Sequence, residues 1–163
     1  MKMPKRILFD SSALLRMHTK RNKDLLELAL MKFEILVPQL SVYEYLFAKA
    51  FLGKNPDHVM AVLKELYHIV PLDDEIIIKS AIITKNLLKS RTKRATGDIL
   101  VGVTAIVKNA LLITDNPELY DPLKKYGLDV ISTEKFIGEL EQLFSGLSKG
   151  SSEAIQKQLP EEI

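Results

Sequence analysis

Short apolar runs of strand character alternate with longer helical patterns along this chain, and this alternation restricts the possible folds most. The strand-like runs are RILF, EILVP, HIVPL, ALLIT and DVIS, and stretches with apolar residues at helical spacing separate most of them. Such alternation is typical of an α/β protein with a mainly parallel sheet flanked by helices. We predict this fold class, with RILF and LLIT, the two least polar runs, as the central strands.

The helical patterns predict one domain followed by a tail. Helices are expected at Gln39–Leu52, Pro56–Tyr67, Asp73–Ser90, Asp98–Asn109 and Thr133–Phe144. In the first of these, Leu40, Tyr43, Phe47, Ala50 and Phe51 form a stripe that we expect to be buried. Tyr45 breaks that stripe and is predicted as an exposed contact for a partner. We expect the domain to span residues 1–145 and a mobile polar tail to span 146–163.

Composition excludes several classes of chemistry. The 163-residue chain has no cysteine, so disulfides, thiol catalysis and cysteine-based zinc sites are excluded. No apolar run approaches the roughly 20 residues that span a bilayer, and no segment has the pattern of a signal peptide. We therefore predict a cytoplasmic protein without a membrane partner.

Positive charge is concentrated in one stretch, although the net charge is only +2. Between Lys79 and Gly97 there is no acidic residue, and the part KNLLKSRTKR contains Lys85, Lys89, Arg91, Lys93 and Arg94. One interpretation of these five cations is that they guide a nucleic-acid backbone. A solvated helix end, where the helix dipole favours cations, explains them about equally well.

Four acidic residues occupy related places in the predicted fold. Asp10 directly follows RILF, and Asp115 directly follows LLIT. Glu44 and Asp98 lie in the first turns of helices, and helices that follow parallel strands begin at the carboxyl edge of the sheet. Binding sites in open parallel sheets lie beyond this edge. We therefore expect the four carboxylates to converge in one cleft.

Helix capping offers an alternative explanation for each acid. Asp10 would cap the helix at Ser11, Ser41 and Glu44 would form a capping box, and Thr96 would cap the helix in which Asp98 is a first-turn acid. Asp115 would belong to a turn, with Asn116 as the cap of the next helix and Pro117 at its first position. Capping explains why each acid is tolerated, but not why both central strands end in one. Crowded carboxylates repel one another unless a cation such as Mg²⁺ or Mn²⁺ shares them. Such a cleft, without a phosphate-binding loop or a nucleophile triad, favours metal-dependent hydrolysis of phosphodiesters.

Four motifs in order resemble the PIN-domain nucleases, a family that includes the VapC-type toxins. They are FDSSALL, SVYEYLFA, TGDILVGVTAI and LLITDNPELY, and the resemblance covers about Lys5 to Phe144. It implies a three-layer α/β fold, Mg²⁺ or Mn²⁺ as cofactor, single-stranded or structured RNA as substrate, an antitoxin partner and a homodimer.

The resemblance also implies roles for single residues. Asp10, Glu44, Asp98 and Asp115 would be catalytic, with the metal held by Asp10, Asp98 and Asp115. Ser12 and Thr114 would be supporting hydroxyls. The last motif departs from the family, because the acid usually stands two residues after the threonine, where this chain has Asn116. We predict Asp115 as the ligand with Asn116 holding a water, and the alternative is that Asp115 points away.

The resulting hypothesis is a metal-dependent endoribonuclease that acts as the toxin of a type II toxin–antitoxin pair. Two alternatives stay open at this point. One is a housekeeping PIN nuclease that processes RNA. The other is a catalytically inactive PIN-like module that binds RNA or serves as a scaffold, which the Asn116 substitution keeps in consideration.

Overall fold

The computed structural model describes residues 2–156, with side chains placed up to residue 148. Within these residues five strands form one sheet in the order β3-β2-β1-β4-β5, and every neighbouring pair is parallel. The strands are β1 Arg6–Phe9, β2 Glu34–Pro38, β3 His68–Val70, β4 Leu111–Thr114 and β5 Val130–Ser132. The predicted α/β class is confirmed, and RILF and LLIT are interior strands as expected.

Helices connect the strands and cover the sheet. They are α1 Ser11–Met17, α2 Lys23–Lys32, α3 Gln39–Phe51, α4 Pro56–Leu66, α5 Asp74–Lys89, α6 Thr96–Val107 and α7 Thr133–Gln156. Two 3-10 segments, Lys20–Asn22 and Pro117–Tyr126, complete the described chain. Within the described part, none of these helices is both long and apolar enough to cross a membrane.

The last helix is longer than the sequence predicted. We expected it to end at Phe144, but α7 continues to Gln156, through the first part of the predicted polar tail. The small and polar residues after Ser145 favour no alternative local structure strongly enough to end a helix already nucleated upstream. The rest of the predicted tail, residues 157–163, lies outside the described residues.

The two faces of the sheet carry separate cores. Side chains of Ile7, Phe9 and Ile113 point to one face, where residues of α1, α2, α4 and α7 pack against them. Leu8 and Leu112 point to the other face, which α5, α6 and the Pro117–Tyr126 segment cover. This alternation follows from the two-residue period of a strand. It also determines to which side the residues directly beyond each strand project.

The predicted orientation of α3 is wrong. Tyr45 is 3% exposed and lies in the core, whereas Tyr43, Phe47 and Phe51 are 65%, 65% and 84% exposed. The helix packs through Ser41, Val42 and Tyr45. The aromatic stripe at four-residue spacing therefore lies on the solvent side, because apolar residues occupy both faces of this helix and their spacing alone does not show which face is buried.

Two predicted helix caps are also wrong, and one is confirmed. Asp10 caps α1, since its side chain accepts a hydrogen bond from the backbone amide of Ala13. By contrast, α3 and α6 start at Gln39 and Thr96, after Pro38 and Ala95, with no side-chain cap. Both helices begin earlier than the predicted caps require, so Ser41 and Thr96 lie inside the first turn of the helix instead of before it. A capping box therefore does not explain Glu44, whereas Asp98 does lie in the first turn of α6, as the alternative for it required.

Candidate active site

A cleft of about 430 Å³ opens at the carboxyl edge of the sheet. Three of the four predicted acids, Asp10, Glu44 and Asp98, line it. The end of β1 contributes the first, α3 the second and α6 the third. Other polar residues on its wall are Ser11, Ser12, Thr114, Asn116 and Tyr120. The topology therefore brings together side chains that are more than 80 residues apart in sequence.

Asp10 is the most enclosed of the three acids, with 7% of its surface exposed. Its Oδ1 accepts hydrogen bonds from Ala13 N at 2.9 Å and from Ser12 Oγ at 2.7 Å. Its Oδ2 accepts one from the Tyr120 hydroxyl at 3.3 Å. The helix cap uses only Oδ1, so the capping and the functional interpretations of Asp10 are compatible.

The hydroxyls of Ser12 and Thr114 connect the ends of β1 and β4. The Ser12 hydroxyl donates to Asp10 and accepts the backbone N–H of Asp115 at 2.9 Å. Thr114 Oγ1 lies 3.4 Å from Ser12 Oγ and accepts the backbone N–H of Asn116 at 3.2 Å. Ser12 thus holds the Asp10 carboxylate and the backbone after β4, and Thr114 holds the backbone of Asn116 on the cleft wall.

The negative charge of Asp10 acts on the other two carboxylates of the cleft. The pKa of Glu44 is raised by burial and then by the negative charge of Asp10, while a hydrogen bond with Ser11 acts in the opposite direction. The pKa of Asp98 is raised by burial and by Asp10, and the nearby Arg94 opposes this. Like charges that share a cleft disfavour one another's ionised form. A positive ligand in this cleft would relieve that repulsion.

The structure does not bring Asp115 into the cleft. Its carboxylate instead accepts a hydrogen bond from Arg16 Nη1 at 3.2 Å in a partly exposed ion pair. Thr114 lies on the cleft wall, and successive strand residues project to opposite faces, so the next residue is directed away. Asn116 follows and lies on the cleft wall again.

Tyr120 is a site residue that the sequence did not single out. It is 3% exposed, and its hydroxyl contacts Asp10 inside the cleft. Burial, together with the negative charges of Asp10, Asp98 and Glu44, raises its pKa, so the hydroxyl remains a hydrogen-bond donor. The motif LLITDNPELY contained this tyrosine, but only the path of the Pro117–Tyr126 segment shows that its hydroxyl reaches Asp10.

The donor set suits a hard divalent cation, although its ligands are not drawn tightly together. The polar wall offers carboxylate, amide and hydroxyl oxygens, the atoms that Mg²⁺ and Mn²⁺ prefer. Among the described residues, no group of three or more acidic or histidine side chains is arranged so that it could hold a metal ion by itself. Mg²⁺ commonly keeps several waters and uses one or two carboxylates. The cleft therefore fits a partly hydrated cation better than a cage built only of protein ligands.

The predicted RNA-binding cations differ in their distance from the cleft. Lys85 and Lys89 are exposed on α5, and Arg91, Lys93 and Arg94 are exposed on the connection to α6. The latter leads directly to Ala95 and Gly97 on the cleft wall. Arg94 is close enough to affect the pKa of Asp98. The end of this stretch at Arg94 therefore lies next to the acidic cleft, whereas Lys85 and Lys89 line a separate groove between α5 and α6.

The sequence of this chain is similar to the sequences of two known proteins. The chain is 41% identical to a VapC ribonuclease of Pyrococcus furiosus over 141 residues, which are 86% of this chain and 95% of that protein. The chain belongs to the VapC ribonuclease family. A second relative, ribonuclease VapC1 of Methanocaldococcus jannaschii, is 33% identical over 84 residues, covering 52% of this chain and 62% of its own. No family model matches the sequence.

Solved structures confirm the fold of this VapC-family chain. VapBC-1 of Haemophilus influenzae superposes with a TM-score of 0.65 at 15% identity, covering 79% of this chain and 98% of that one. VapBC2 of Rickettsia felis, bound to a promoter DNA fragment, gives 0.63 at 15% identity, covering 78% and 98%. PAE2754 of Pyrobaculum aerophilum gives 0.55 at 18% identity, covering 84% and 98%. The three-layer fold implied by the PIN-domain resemblance is therefore confirmed.

Proposed function

We propose that this protein is a Mg²⁺- or Mn²⁺-dependent endoribonuclease and the toxin of a toxin–antitoxin pair. The observation that carries the proposal is that Asp10, Glu44 and Asp98 line one cleft, in which the negative charge of Asp10 raises the pKa of both Glu44 and Asp98. Its relatives are named as ribonucleases, and this supports the reaction class. Among the described residues, the wall of the cleft carries no histidine, and the chain has no cysteine, so the proposal assigns the chemistry to the carboxylates.

Each residue has a role in this proposal. Asp10 and Asp98 would hold the cation, and Glu44, the more exposed acid on α3, would orient the attacking water. The bound cation supplies activation of water and neutralises charge on the phosphodiester. Asn116 lies on the wall where Asp115 does not, so we assign the fourth polar position to Asn116, with a water held by its amide. Asp115 as a direct ligand stays a prediction that its Arg16 pairing does not favour.

The basic stretch would bind the RNA backbone. Lys85 and Lys89 lie one helical turn apart, and Arg91, Lys93 and Arg94 continue toward the cleft. Phosphate contacts by such cations supply affinity without sequence selectivity. We expect single-stranded or structured RNA to follow this path, so that one phosphodiester reaches the acids.

The partners would be an antitoxin and a second copy of this chain. Structural neighbours are VapBC toxin–antitoxin complexes, and this supports an antitoxin partner. The α3 surface of Tyr43, Phe47 and Phe51 is exposed and lies on the helix that also contains Glu44, so a protein covering it would lie beside the cleft. For a homodimer, the exposed Ile78 and Ile82 on α5 are candidate contacts. A cytoplasmic location, as predicted, is consistent with both.

The test is RNA cleavage by the wild type and by Asp98→Asn, with Mg²⁺ or Mn²⁺. Asp24→Asn is the matched control, because Asp24 is an exposed acid on α2. We expect Asp98→Asn to lower cleavage by about 100-fold or more, since it removes a charged ligand, and Asp24→Asn to change nothing. Undiminished cleavage by Asp98→Asn contradicts the proposed site. If the wild type neither cleaves RNA nor binds Mn²⁺, the inactive RNA-binding module is the correct alternative.

Co-expression separates the toxin from a housekeeping nuclease. The reading frame next to this gene should encode a short antitoxin that copurifies with the chain and suppresses its cleavage. A cleavage activity that no neighbouring gene product suppresses would favour RNA processing instead. Light scattering of the purified chain measures the expected dimer mass, and a monomer mass contradicts the homodimer.

A further inference from the structure

The hydroxyl of Tyr120 contacts the acidic cleft, although none of the three cleft acids lies in the same segment of the chain. Tyr120 lies in the Pro117–Tyr126 segment, which follows β4, and its ring is buried against α6. Its hydroxyl donates to Asp10 Oδ2 at 3.3 Å. A phenylalanine ring would fill the same space in the core. Packing alone therefore does not require the hydroxyl that contacts this carboxylate.

The hydrogen bonds of Asp10 show what this contact does. Oδ1 is occupied by two donors, Ala13 N at 2.9 Å and Ser12 Oγ at 2.7 Å. Oδ2 receives the Tyr120 hydroxyl alone among the described residues. Because a carboxylate oxygen has two lone pairs, Oδ2 keeps one for a ligand in the cleft. The hydroxyl thus holds the plane of the carboxylate from the side opposite to Ser12.

A glycine on α6 lets Leu123 and the Tyr120 ring pack closely against that helix. A Cβ atom at Gly102 would lie 2.3 Å from Leu123 Cδ1 and 3.3 Å from Tyr120 Cδ1. Gly102 is one helical turn after Asp98 on α6. Its missing side chain lets the segment approach the part of α6 that presents Asp98 to the cleft. The Tyr120 ring therefore packs against α6, which contains Asp98, while its hydroxyl donates to Asp10.

On these contacts we propose that Tyr120 is a positioning residue, whose hydroxyl sets the orientation of Asp10 Oδ2 for a divalent cation shared with Asp98. This inference rests on the proposed function. Residues that hydrogen-bond to metal ligands typically contribute 10- to 100-fold to metal affinity. At 3.3 Å the contact is longer than the roughly 2.5–3.0 Å that is usual for O–H···O hydrogen bonds, so the lower end of that range applies to Tyr120.

The test compares Mn²⁺ binding by the wild type, Tyr120→Phe and Tyr126→Phe, measured by calorimetry on the full chain. Tyr120→Phe keeps the ring and removes only the hydroxyl. Tyr126→Phe is the matched control, because Tyr126 lies in the same segment but is not on the cleft wall. We expect Tyr120→Phe to raise the Mn²⁺ dissociation constant by about tenfold and Tyr126→Phe to leave it unchanged.

A second variant keeps the hydroxyl but displaces the ring. Gly102→Ala places a Cβ where Tyr120 and Leu123 now pack, so it should also weaken Mn²⁺ binding. Circular dichroism and urea unfolding without metal check that each variant is folded. Equal Mn²⁺ affinity of the folded Tyr120→Phe variant and the wild type overturns the positioning role. Failure of the wild type to bind Mn²⁺ overturns the proposed function instead, and the two failures are thereby distinguished.

Discussion

The ends of β1 and β4 look alike in sequence but differ in the structure. Each strand is a short apolar run followed at once by an aspartate. Asp10 is 7% exposed and lies in the cleft, whereas Asp115 pairs with Arg16 outside it. The strand register explains the difference. Phe9 pairs with Ile113, so the position level with Asp10 is Thr114, one residue before Asp115.

A shift of one residue changes the face of the sheet to which a side chain points. Asp10 continues the row of Leu8, which faces α5 and α6, the layer that contains Asp98. Asp115 continues the row of Ile113, which faces the α1 and α7 layer, and it meets Arg16 of α1. Two strands that end in the same residue therefore place it in one site only when their register matches.

Substitution of Asp10 should have the largest effect at these two strand ends. Asp10→Asn should lower RNA cleavage by about 100-fold, because the charge is lost, while the fold persists, because asparagine caps helices as well as aspartate. Asp10→Ala should lose cleavage equally and also about 1 kcal/mol of stability through the lost cap. Cleavage assays and urea unfolding measure the two effects. Full cleavage by Asp10→Asn would show that Asp10 is only a cap.

The C-terminal end of α1 carries a partly buried histidine, whose protonation should lower the stability of the fold. His18 is hydrogen-bonded to Tyr67 at 2.6 Å and lies beside Tyr45, and burial and then Lys49 lower its pKa to about 4. The unfolded chain binds a proton near pH 6.5 and the folded chain does not, so this contribution is present above pH 6.5 and is lost as pH falls toward 4. We expect a loss of up to about 2 kcal/mol over that window.

Urea unfolding at several pH values measures this effect. His18→Gln should lose less stability on acidification than the wild type, since glutamine does not titrate. His58→Gln, at an exposed position on α4, should follow the wild-type pH dependence. Parallel curves for the wild type and His18→Gln contradict a buried neutral His18.

Ser12 connects the two strand ends, so its removal should affect both. Ser12→Ala takes a donor from Asp10 and an acceptor from the Asp115 backbone amide. We expect a loss of about 1 kcal/mol in the free energy of unfolding and weaker Mn²⁺ binding by a few fold. Thr114→Val serves as a companion, because its 3.4 Å contact with Ser12 is longer and should matter less. Unchanged Mn²⁺ binding by Ser12→Ala would separate this hydroxyl from the site.

The smallest expected effect lies at Arg16. The ion pair with Asp115 is partly exposed, with side chains 42% and 33% accessible. Such pairs typically contribute about 0–1 kcal/mol, so Arg16→Ala should change stability by about 0.5 kcal/mol and leave cleavage unaltered. Thermal unfolding and the cleavage assay measure this. A large loss of cleavage in Arg16→Ala would indicate that Asp115 and its partner belong to the site.

The sequence predicted much of the fold because strand runs and helix periodicity are local signals. The five strands, their parallel arrangement and the convergence of Asp10, Glu44 and Asp98 follow from such signals and from the rule that sites lie at the carboxyl edge. The errors concern orientation. Asp115 depends on strand register, and Tyr45 depends on which of two apolar faces of α3 meets the core. Both are set by tertiary packing between distant segments.

Tyr120 could not be predicted for a related reason. Its role depends on the close approach of the Pro117–Tyr126 segment to Gly102 of α6, and neither residue has an unusual local pattern. The length of α7 was missed because small polar residues after Ser145 resemble a tail, although a helix already formed upstream can extend through them.

The central claim is that Asp10 faces a cation site and Asp115 does not. Calorimetric titration of Mn²⁺ into the wild type, Asp10→Asn and Asp115→Asn tests it most directly, because all three proteins should fold alike. We expect Asp10→Asn to lose at least about tenfold in Mn²⁺ affinity and Asp115→Asn to stay within about threefold of the wild type. The reverse order, with binding lost in Asp115→Asn and kept in Asp10→Asn, would contradict it.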